Sequence, residues 1–376
     1  MEQIKEVTVF TWGDSSRLET WSNVPFFFTE TLLAKGIRVN RVNLESSKTF
    51  PLHRLAKLVN KNSSYTYFRS QINFHSTRQK IKKTVNRFKD SQVDIFLTFS
   101  FSSCGLTRKP VVLFGDWTYD YLIRYFQKRQ PDCFEKRAIA REDAQIKAAD
   151  LVFPLFPGIT EYMQQRYGKE HIYYLGNVIN ALYSGSEKFI GQKQQSCSLL
   201  FIGLKSYIEG AQSLIAAFEL LKSQYPLLKL HIIGMEKQDF ETLPENVFCY
   251  GYLNKGIANE RDLYYKLLRE ATLFVNTTPR WSSFSASIEA MYFYTPVAVS
   301  PYEEFRKTFG DTIDFGLYCE ENVPELIKDK IASILESNRY PVLCNRAHEA
   351  VKAFTWDNYM DKIIAKIEQL LPGNKI

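Results

Sequence analysis

The chain has 376 residues, of which 45% are hydrophobic, 24% charged and 15% aromatic, and its formal net charge is +7. A chain of this length exceeds one compact core and fits two domains of ordinary size, and its composition excludes disordered and fibrous proteins. No apolar run reaches the roughly 18 residues of a membrane-spanning helix, and the polar start Met1–Glu6 lacks the layout of a signal peptide. We therefore expect a cytoplasmic protein.

The first half of the chain alternates short apolar strands with amphipathic helices. A strand at Val7–Thr11 precedes a helix that begins near Asn23, carries Pro25 in its first turn and ends at Gly36. Further elements are predicted as strands at Ile37–Leu44, Val93–Phe99, Val111–Phe114, Leu151–Leu155 and Ile172–Leu175, and as helices at Ser76–Asp90, Phe134–Ala149 and Ile159–Tyr167. This alternation predicts a parallel sheet that is covered by helices on both faces.

Positive charge is concentrated in the segment Lys35–Ile95, where 14 lysines and arginines stand against three acids. The basic residues of its helix at Ser76–Asp90 include Lys80, Lys82, Lys83 and Arg87. Such a helix either packs its apolar stripe on its own sheet or lies on an anionic membrane surface, and both interpretations fit the sequence. Nucleic acid is not expected as a partner, since no RNP motif, zinc finger or DNA-reading helix is present.

A polar stretch at Ala181–Ser198 has no apolar periodicity, and we interpret it as a linker. The strands predicted after it lie at Ser198–Ile202, Leu228–Ile233, Val247–Tyr252, Leu273–Asn276 and Pro296–Val299, and the helices at Ala211–Ser223, Ser285–Tyr292, Pro324–Leu335, Arg346–Phe354 and Trp356–Leu371. We therefore predict an α/β protein of two Rossmann-like, doubly wound domains that face a cleft, residues 1–180 and 195–355. The last helix, 356–376, is expected to pack back on the first domain.

The six cysteines are spaced singly, with no C-x-x-C pair and no histidine at metal-ligand spacing. This pattern predicts reduced thiols and not a disulfide framework or a zinc site. The sequence also lacks an H-E-x-x-H motif, an EF-hand loop and a convincing D-x-D motif, so we expect no cofactor and no protein-built metal site.

A series of short motifs in the second half follows the order known from one enzyme family. The motifs are Gly203 after a strand and Gly210 opening the next helix, then His231–Gly234, Val247–Leu253, Asn276–Pro279, Ser282–Met291 and Thr295–Val299. This series resembles the C-terminal domain of the GT-B glycosyltransferases of family four, the group 1 glycosyl transferases. The looser matches elsewhere are Trp21–Pro25, Asp116–Thr118, Glu142–Asp150 and Phe354–Asp357.

The resemblance implies the GT-B fold and the transfer of a hexosyl or deoxyhexosyl group, with retention of configuration, from a nucleotide sugar to a glycan or lipid-linked acceptor. The setting we expect is the assembly of bacterial surface polysaccharides or glycoconjugates, with peripheral binding to the inner face of the cytoplasmic membrane if the basic segment binds lipid. In the family the leaving phosphate itself is proposed to act as the base, so no enzymic nucleophile is needed.

The turn before the helix at Ser285–Tyr292 is the predicted donor site. A helix N-terminus offers unpaired N–H groups and a positive dipole end, which suit a phosphate. In the family this turn holds the donor diphosphate, and Glu289 matches the acid that contacts the ribose. The predicted donor-binding residues are Gly203, Lys205, Tyr252, Trp281, Ser283, Phe284, Ser285 and Glu289. Helix capping by the serines and a solvated Glu289 are the alternatives.

Three positions depart from the family pattern. Trp281 stands where the family has a sugar-contacting glutamate, while Leu204 and Glu209 stand where it has two cations that neutralise the diphosphate. Losing both cations removes charge stabilisation from the leaving group. Lys205 and Arg280 are the candidate catalytic replacements, and solvated loop cations explain both equally well.

Asp116 is the candidate acid of the acceptor site. It follows a strand and a glycine, so it is expected at the carboxyl edge of the sheet, where it can orient or deprotonate a hydroxyl. Ser22 and Asn23 are further candidates for acceptor contacts, and helix capping explains all three residues as well. Because of the missing cations, a non-catalytic sugar- or nucleotide-binding GT-B scaffold is an alternative function, and a nucleotide-sugar epimerase is another.

Overall fold

The computed structural model describes residues 3–45, 67–168, 170–279 and 284–371. The chain divides into two compact units, one formed by residues 1–178 and 356–376 and the other by residues 179–355. Each unit is a parallel sheet with helices, which confirms the predicted α/β class.

The described part of the first unit contains one parallel sheet with the strand order β2-β1-β3-β4-β5. Its strands are β1 Glu6–Thr11, β2 Arg38–Asn43, β3 Val93–Phe96, β4 Val111–Gly115 and β5 Leu151–Pro154. The order of the strands reverses between β1 and β3. Loops on the two sides of such a reversal diverge and leave a crevice at the carboxyl ends of the strands, and we call this place the switch point.

Among the described residues before the second unit, the longer helices beside this sheet are α1 Val24–Ala34, α2 Gln71–Arg87, α3 Cys133–Ala148 and α4 Pro157–Tyr167. The helix α1 begins after Asn23 with Pro25 in its first turn, as predicted. The basic helix α2 buries Ile81 and Val85, so its apolar stripe is packed within the protein and is not available to a membrane. Of the segment Lys35–Ile95, residues 46–66 lie outside the described residues.

The second unit has six parallel strands among its described residues, in the order β11-β10-β9-β6-β7-β8. The strands are β6 Ser198–Ile202, β7 Lys229–Ile233, β8 Val247–Cys249, β9 Leu273–Asn276, β10 Val297–Val299 and β11 Gly316–Tyr318. The switch point of this sheet lies between β6 and β9. This is the Rossmann-type order, which confirms the doubly wound prediction for this half.

The helices of the second unit are α5 Ile190–Ser196, α6 Ile208–Leu221, α7 Ala258–Glu270, α8 Ser285–Tyr292, α9 Glu303–Phe309, α10 Pro324–Leu335 and α11 Tyr340–Val351. The sequence analysis missed α7, α9 and β11. The buried residues of α7 are Tyr264, Tyr265, Leu267 and Leu268. They stand between charged residues in the last turns of the helix, so the apolar period is short.

The last helix, α12 Trp356–Glu368, belongs to the first unit and packs on α1. The Trp356 ring stacks on Phe27, with centroids 6.5 Å apart, and meets the edge of Phe28. The Lys35 ammonium at the end of α1 pairs with Asp357 and Asp361 at 2.7 and 2.6 Å. Aromatic and ionic contacts therefore join the two ends of the chain.

Two sequence predictions are wrong. The stretch Ala181–Ser198 is not a linker throughout, because it contains α5, whose buried face includes Ile190 and Lys193. Most of its residues are polar, so the sequence shows no apolar periodicity that would indicate a buried face. The predicted strand Ile172–Leu175 is reduced to a single bridge between Val152 and Ile172.

Lys193 is fully buried, and all of its described hydrogen-bond partners are neutral oxygens. Its ammonium donates to the carbonyls of Leu268 and Ala271 at 2.7 and 3.3 Å, and to the Thr295 hydroxyl at 2.8 Å. The two carbonyls lie at the end of α7, so Lys193 caps that helix and joins α5 to it.

We expect Lys193→Met to lower the free energy of unfolding by about 1–3 kcal/mol, because three buried oxygens lose their donor. Burial lowers the pKa of Lys193 to about 7. Between pH 7 and about pH 10 the unfolded chain therefore binds more protons than the folded chain, and the parent gains stability that the variant does not. Urea denaturation at pH 7 and about pH 10 measures the free energy of unfolding of the parent and of Lys193→Met, and the difference between the two must grow with pH. Lys237→Met, at an exposed position, is the control.

Candidate functional site

The carboxyl ends of β6 and β9 meet at the switch point of the second unit, where Gly203 lies. A Cβ atom on Gly203 would lie 2.9 Å from the side chains of Phe201 and Tyr207. Gly234, at the end of β7, has φ +98°, and a Cβ there would lie 2.5 Å from the Gly203 carbonyl oxygen. Close side-chain packing at Gly203 and close backbone packing at Gly234 therefore favour glycine at both strand ends, whatever ligand binds beside them.

The helix α8 begins at Ser285, which is exposed, and its N-cap residue is Phe284, whose side chain cannot accept a hydrogen bond. The Phe284 ring is buried against Phe305 and Phe309, with centroids 5.4 and 6.2 Å away. Only its backbone is therefore available to a ligand. The predicted residues Arg280, Trp281 and Ser283 lie outside the described residues.

Glu289 is a buried member of an ion pair, so the solvated alternative is wrong. Its two carboxylate oxygens accept from the Lys255 ammonium at 2.7 and 3.0 Å, and Oε2 also accepts from the Tyr264 hydroxyl at 2.8 Å. Lys255 and Glu289 are 7% and 5% exposed. Burial is the larger cause, and the charge of Glu289 the next, of a Tyr264 pKa that lies well above its usual range, so this hydroxyl stays a donor.

The sequence analysis missed Lys255 and Tyr264. Lys255 closes the run Gly251–Asn254, and its ammonium also donates to the Asn180 carbonyl at 2.9 Å and lies 4.4 Å from the centre of the Tyr264 ring. A lysine in a loop gives no sign in the sequence of a buried partner. It is recognisable only once the loop and α8 are adjacent.

Lys205 and Tyr252, the other predicted donor residues, lie on the surface. The Lys205 side chain is 76% exposed and pairs with Asp239 at 2.8 Å, and this hydrogen bond raises the pKa of Lys205. Tyr252 is 57% exposed. Leu204 is also exposed, so the position where the family has a cation faces solvent here.

The first unit contains a cavity of about 670 Å³ at its own switch point, beside the ends of β1, β3 and β4. Its lining includes Trp12–Asp14, Arg17, Glu19–Trp21, Asn43, Glu45, Arg69, Leu97–Ser100, Gly115–Trp117 and Glu142. Asp116 therefore lies where the sequence places it, at the carboxyl edge of the sheet.

Asp116 is not the cap of the helical turn that follows it. The cap is Thr118, whose hydroxyl accepts from the Tyr121 amide at 3.2 Å, while Asp116 accepts from the Trp117 amide at 2.9 Å. Desolvation raises the pKa of Asp116, against the opposing effects of that amide, the Trp21 side chain and Arg69. A carboxylate with this raised proton affinity suits the role of a general base.

Ser22 and Asn23 do not line this cavity, whereas their neighbour Trp21 does. Trp21, Ser22 and Asn23 have φ of 36°, 53° and 72°, so three successive residues adopt left-handed backbone conformations. The Asn23 amide donates to the Leu18 carbonyl and does not cap α1. The strained turn presents the indole ring, not the two predicted polar side chains, to the cavity.

The sequence analysis missed Arg69 and underrated Glu142, which form the polar side of the cavity. Glu142 is buried and accepts from Arg69 Nη1 at 3.1 Å, the Ser100 hydroxyl at 2.7 Å and the Tyr119 amide. The Arg69 guanidinium also lies over the Tyr119 ring, 3.8 Å from its centre. These contacts link α3 to the end of β3.

In the described ranges, no three His, Cys, Asp or Glu residues form a group that could hold a metal ion. None of the described helices is long and apolar enough to cross a membrane. The six cysteines are all free thiols, as predicted.

We expect the Lys255–Glu289 pair to stabilise the second unit by strong coupling. Glu289→Ala leaves a buried ammonium without a counter-charge and should lower the free energy of unfolding by about 3–5 kcal/mol. Lys255→Met should restore part of that loss in the double variant, and urea denaturation of all four proteins measures the coupling. The exposed pair Arg306–Glu320 is the control, with coupling below about 1 kcal/mol; additive effects at positions 255 and 289 would contradict the assignment.

Comparison with known proteins agrees with this architecture. Residues 187–354 match the family model described as "Glycosyl transferases group 1". A comparison with curated proteins finds no match.

Solved structures resemble the chain over nearly its whole length. Sucrose-phosphate synthase from Thermosynechococcus elongatus is 16% identical, with a TM-score of 0.70 over 97% of this chain and 99% of that one. HepE from Anabaena, solved with UDP and glucose, is 13% identical, with a TM-score of 0.64 over 97% of this chain and 99% of that one. A trehalose 6-phosphate synthase from Burkholderia multivorans is 9% identical, with a TM-score of 0.64 over 98% and 99%. Residues 187–354 therefore form a group 1 glycosyltransferase domain, within a chain that has the GT-B fold throughout.

Proposed function

We propose that the protein transfers a hexosyl or deoxyhexosyl group from a nucleotide sugar, with retention of configuration, to a glycan or lipid-linked acceptor in surface polysaccharide or glycoconjugate assembly. The observation that carries the proposal is the coincidence of the family match, residues 187–354, with the unit that contains the predicted donor residues. The UDP and glucose held by HepE support a nucleotide-sugar donor.

In this proposal the donor diphosphate lies at Gly203 and the N-terminus of α8, where Ser285 allows close approach. Glu289 accepts from the ribose hydroxyls. A carboxylate has about four acceptor positions, and three are used by Lys255 and Tyr264. Lys255 and Tyr264 therefore orient the Glu289 carboxylate, and a ribose hydroxyl completes its coordination.

Asp116 orients the acceptor hydroxyl by accepting its hydrogen bond, and the leaving phosphate takes the proton, as the family resemblance implies. The non-catalytic scaffold is the second candidate, and the pairing of Lys205 with Asp239 favours it, because this cation is already neutralised. Saturation by a nucleotide without turnover would select the scaffold.

The test is a thermal-shift screen of UDP, GDP, dTDP and CMP, each with its sugars, followed by a transfer assay with the donor that binds. Glu289→Gln should weaken the binding of that nucleotide by about 1–3 kcal/mol, since it keeps an oxygen but loses the charge. Exposed Glu241→Gln is the control. No shift with any nucleotide would refute the proposal.

We further expect one of two cations to support the leaving group. Lys205→Ala or Arg280→Ala should lower turnover at least about tenfold without an equal loss of donor affinity, because charge grows on the diphosphate during the reaction. Asp239→Asn frees the Lys205 ammonium and separates the two cases. It should preserve or raise turnover if Lys205 acts, and wild-type turnover in both alanine variants would contradict the expectation.

We also propose that the outward face of α2 binds an anionic membrane surface. Lys82, Lys83 and Arg87 are exposed, and the helix carries no acid. Lys80 is turned toward the protein, where its ammonium donates to the Glu45 carbonyl at 2.9 Å. With the apolar stripe buried, the attraction is electrostatic.

Replacing Lys82, Lys83 and Arg87 by Gln should weaken binding to phosphatidylglycerol vesicles about tenfold or more at low salt, since each cation contributes up to about 1 kcal/mol. Vesicle co-sedimentation measures the change, and salt should weaken binding by the parent. Lys128, Lys136 and Arg137, exposed elsewhere in the same unit, provide the charge-matched control. Equal loss in both triple variants would show that only net charge matters.

A further inference from the structure

The cavity at the switch point of the first unit is unusually rich in tryptophan. The chain has five tryptophans, and Trp12, Trp21 and Trp117 all line this cavity. All three are half-buried. An indole ring that is partly exposed in a cavity is a surface on which the C–H face of a sugar ring can pack.

Aromatic neighbours hold these rings in place. Trp12 stacks with Phe101 at a centroid distance of 6.0 Å and meets Phe68 edge-on at 5.1 Å. Trp117 stacks with Phe156 at 4.7 Å and with Tyr121 at 5.7 Å. Fixed rings lose little conformational entropy when a ligand binds, so the wall is formed before the ligand arrives.

The cavity lining has more acidic than basic residues. Five of its lining residues are acids and two are arginines. Arg17 pairs with Glu19 at 3.5 Å and Arg69 with Glu142 at 3.1 Å, so both cations already have counter-charges. Within the described ranges, the other three acids, Asp14, Glu45 and Asp116, form no ion pair. Nearby cations act on them through space, namely Arg17 and Arg41 on Asp14, Lys80 on Glu45 and Arg69 on Asp116, so the lining keeps an excess of acids that is only partly compensated.

This balance decides which ligands fit. A phosphate or carboxylate group would enter a partly enclosed space whose described lining has five acids and two arginines, and like charges repel strongly where water is partly excluded. Hydroxyl groups are favoured in the same space, because carboxylates accept hydrogen bonds from them.

From this arrangement we infer that the cavity binds an uncharged sugar residue, stacked on Trp12 or Trp21, and rejects sugar phosphates and uronic acids. The inference rests on the proposed glycosyl transfer in one respect, since it names the class of the acceptor as a neutral glycan. Binding to the cavity itself is measurable without any donor.

The test uses the full chain without nucleotide and follows tryptophan fluorescence and calorimetry. The neutral probes are methyl α-glucoside, methyl α-galactoside and methyl N-acetylglucosaminide, and the charged probes are glucose 6-phosphate and glucuronic acid. At least one neutral probe should bind saturably, and both charged probes should bind at least about tenfold more weakly at low salt, with a gap that narrows as salt is added.

Two variants separate stacking from charge. Trp12→Leu should weaken binding of the neutral probe at least about fivefold, while Trp12→Phe should retain part of the affinity. If Trp12→Leu does not fold, Trp21→Leu takes its place. Glu45→Lys should reduce the discrimination against glucose 6-phosphate several-fold. The Lys80 contact involves the Glu45 backbone and is kept. Glu170→Lys, exposed after the end of α4, is the charge-matched control.

Tighter or equal binding of glucose 6-phosphate overturns the inference, and so does the absence of saturable binding by every neutral probe. The nucleotide screen is independent of both results. Neutral sugar binding without any nucleotide shift would refute the proposed transfer and keep this inference. Transfer to a sugar phosphate alone would keep the proposed function and refute the inference.

Discussion

Both sheets of this protein are entirely parallel over their described residues, and this constraint determines where the functional residues lie. In a parallel sheet all strands end at the same edge, and the reversal of strand order leaves a crevice there. In the first unit β1 brings Trp12 to that edge, and β4 brings Asp116 and Trp117. In the second, β6 and β7 bring two glycines to it. The same topology thus produces a roomy aromatic cavity in one unit and a tightly packed backbone surface in the other.

The protein accommodates its cationic side chains in three different ways. Lys82, Lys83 and Arg87 of α2 remain in solvent, where their mutual repulsion is screened. Lys255 is buried against a carboxylate and a phenol, which compensates for its desolvation. Lys193 is buried with neutral oxygens only, so burial lowers its pKa. The acids of the aromatic cavity are a further case, because their charge is left partly uncompensated at a surface open to ligands.

The pair Lys255–Glu289 joins structure and proposed function. Glu289 lies on α8, one turn from the predicted phosphate-binding end of that helix. Its ion pair both stabilises the second unit and orients a carboxylate. A residue with these two roles cannot be tested by deletion alone, because losing the fold and losing a ligand contact give the same inactive protein. The Gln variant keeps the shape of the side chain but also removes the counter-charge of Lys255, so its nucleotide binding is compared only after urea denaturation shows that it is folded.

The sequence by itself determined the parallel α/β class, most strands within a few residues, and the positions of Asp116 and Glu289 at the strand and helix ends. These follow from local apolar periodicity, from glycine and proline positions and from motif order, which are all readable along the chain. Tertiary structure alone decided what surrounds them. Lys255 is distant in sequence from Glu289, Arg69 from Glu142, and Trp12 and Trp21 from Trp117. Their meeting depends on which strands pair and how loops fold over the sheet edge, and no local pattern encodes a partner that is brought near only by packing.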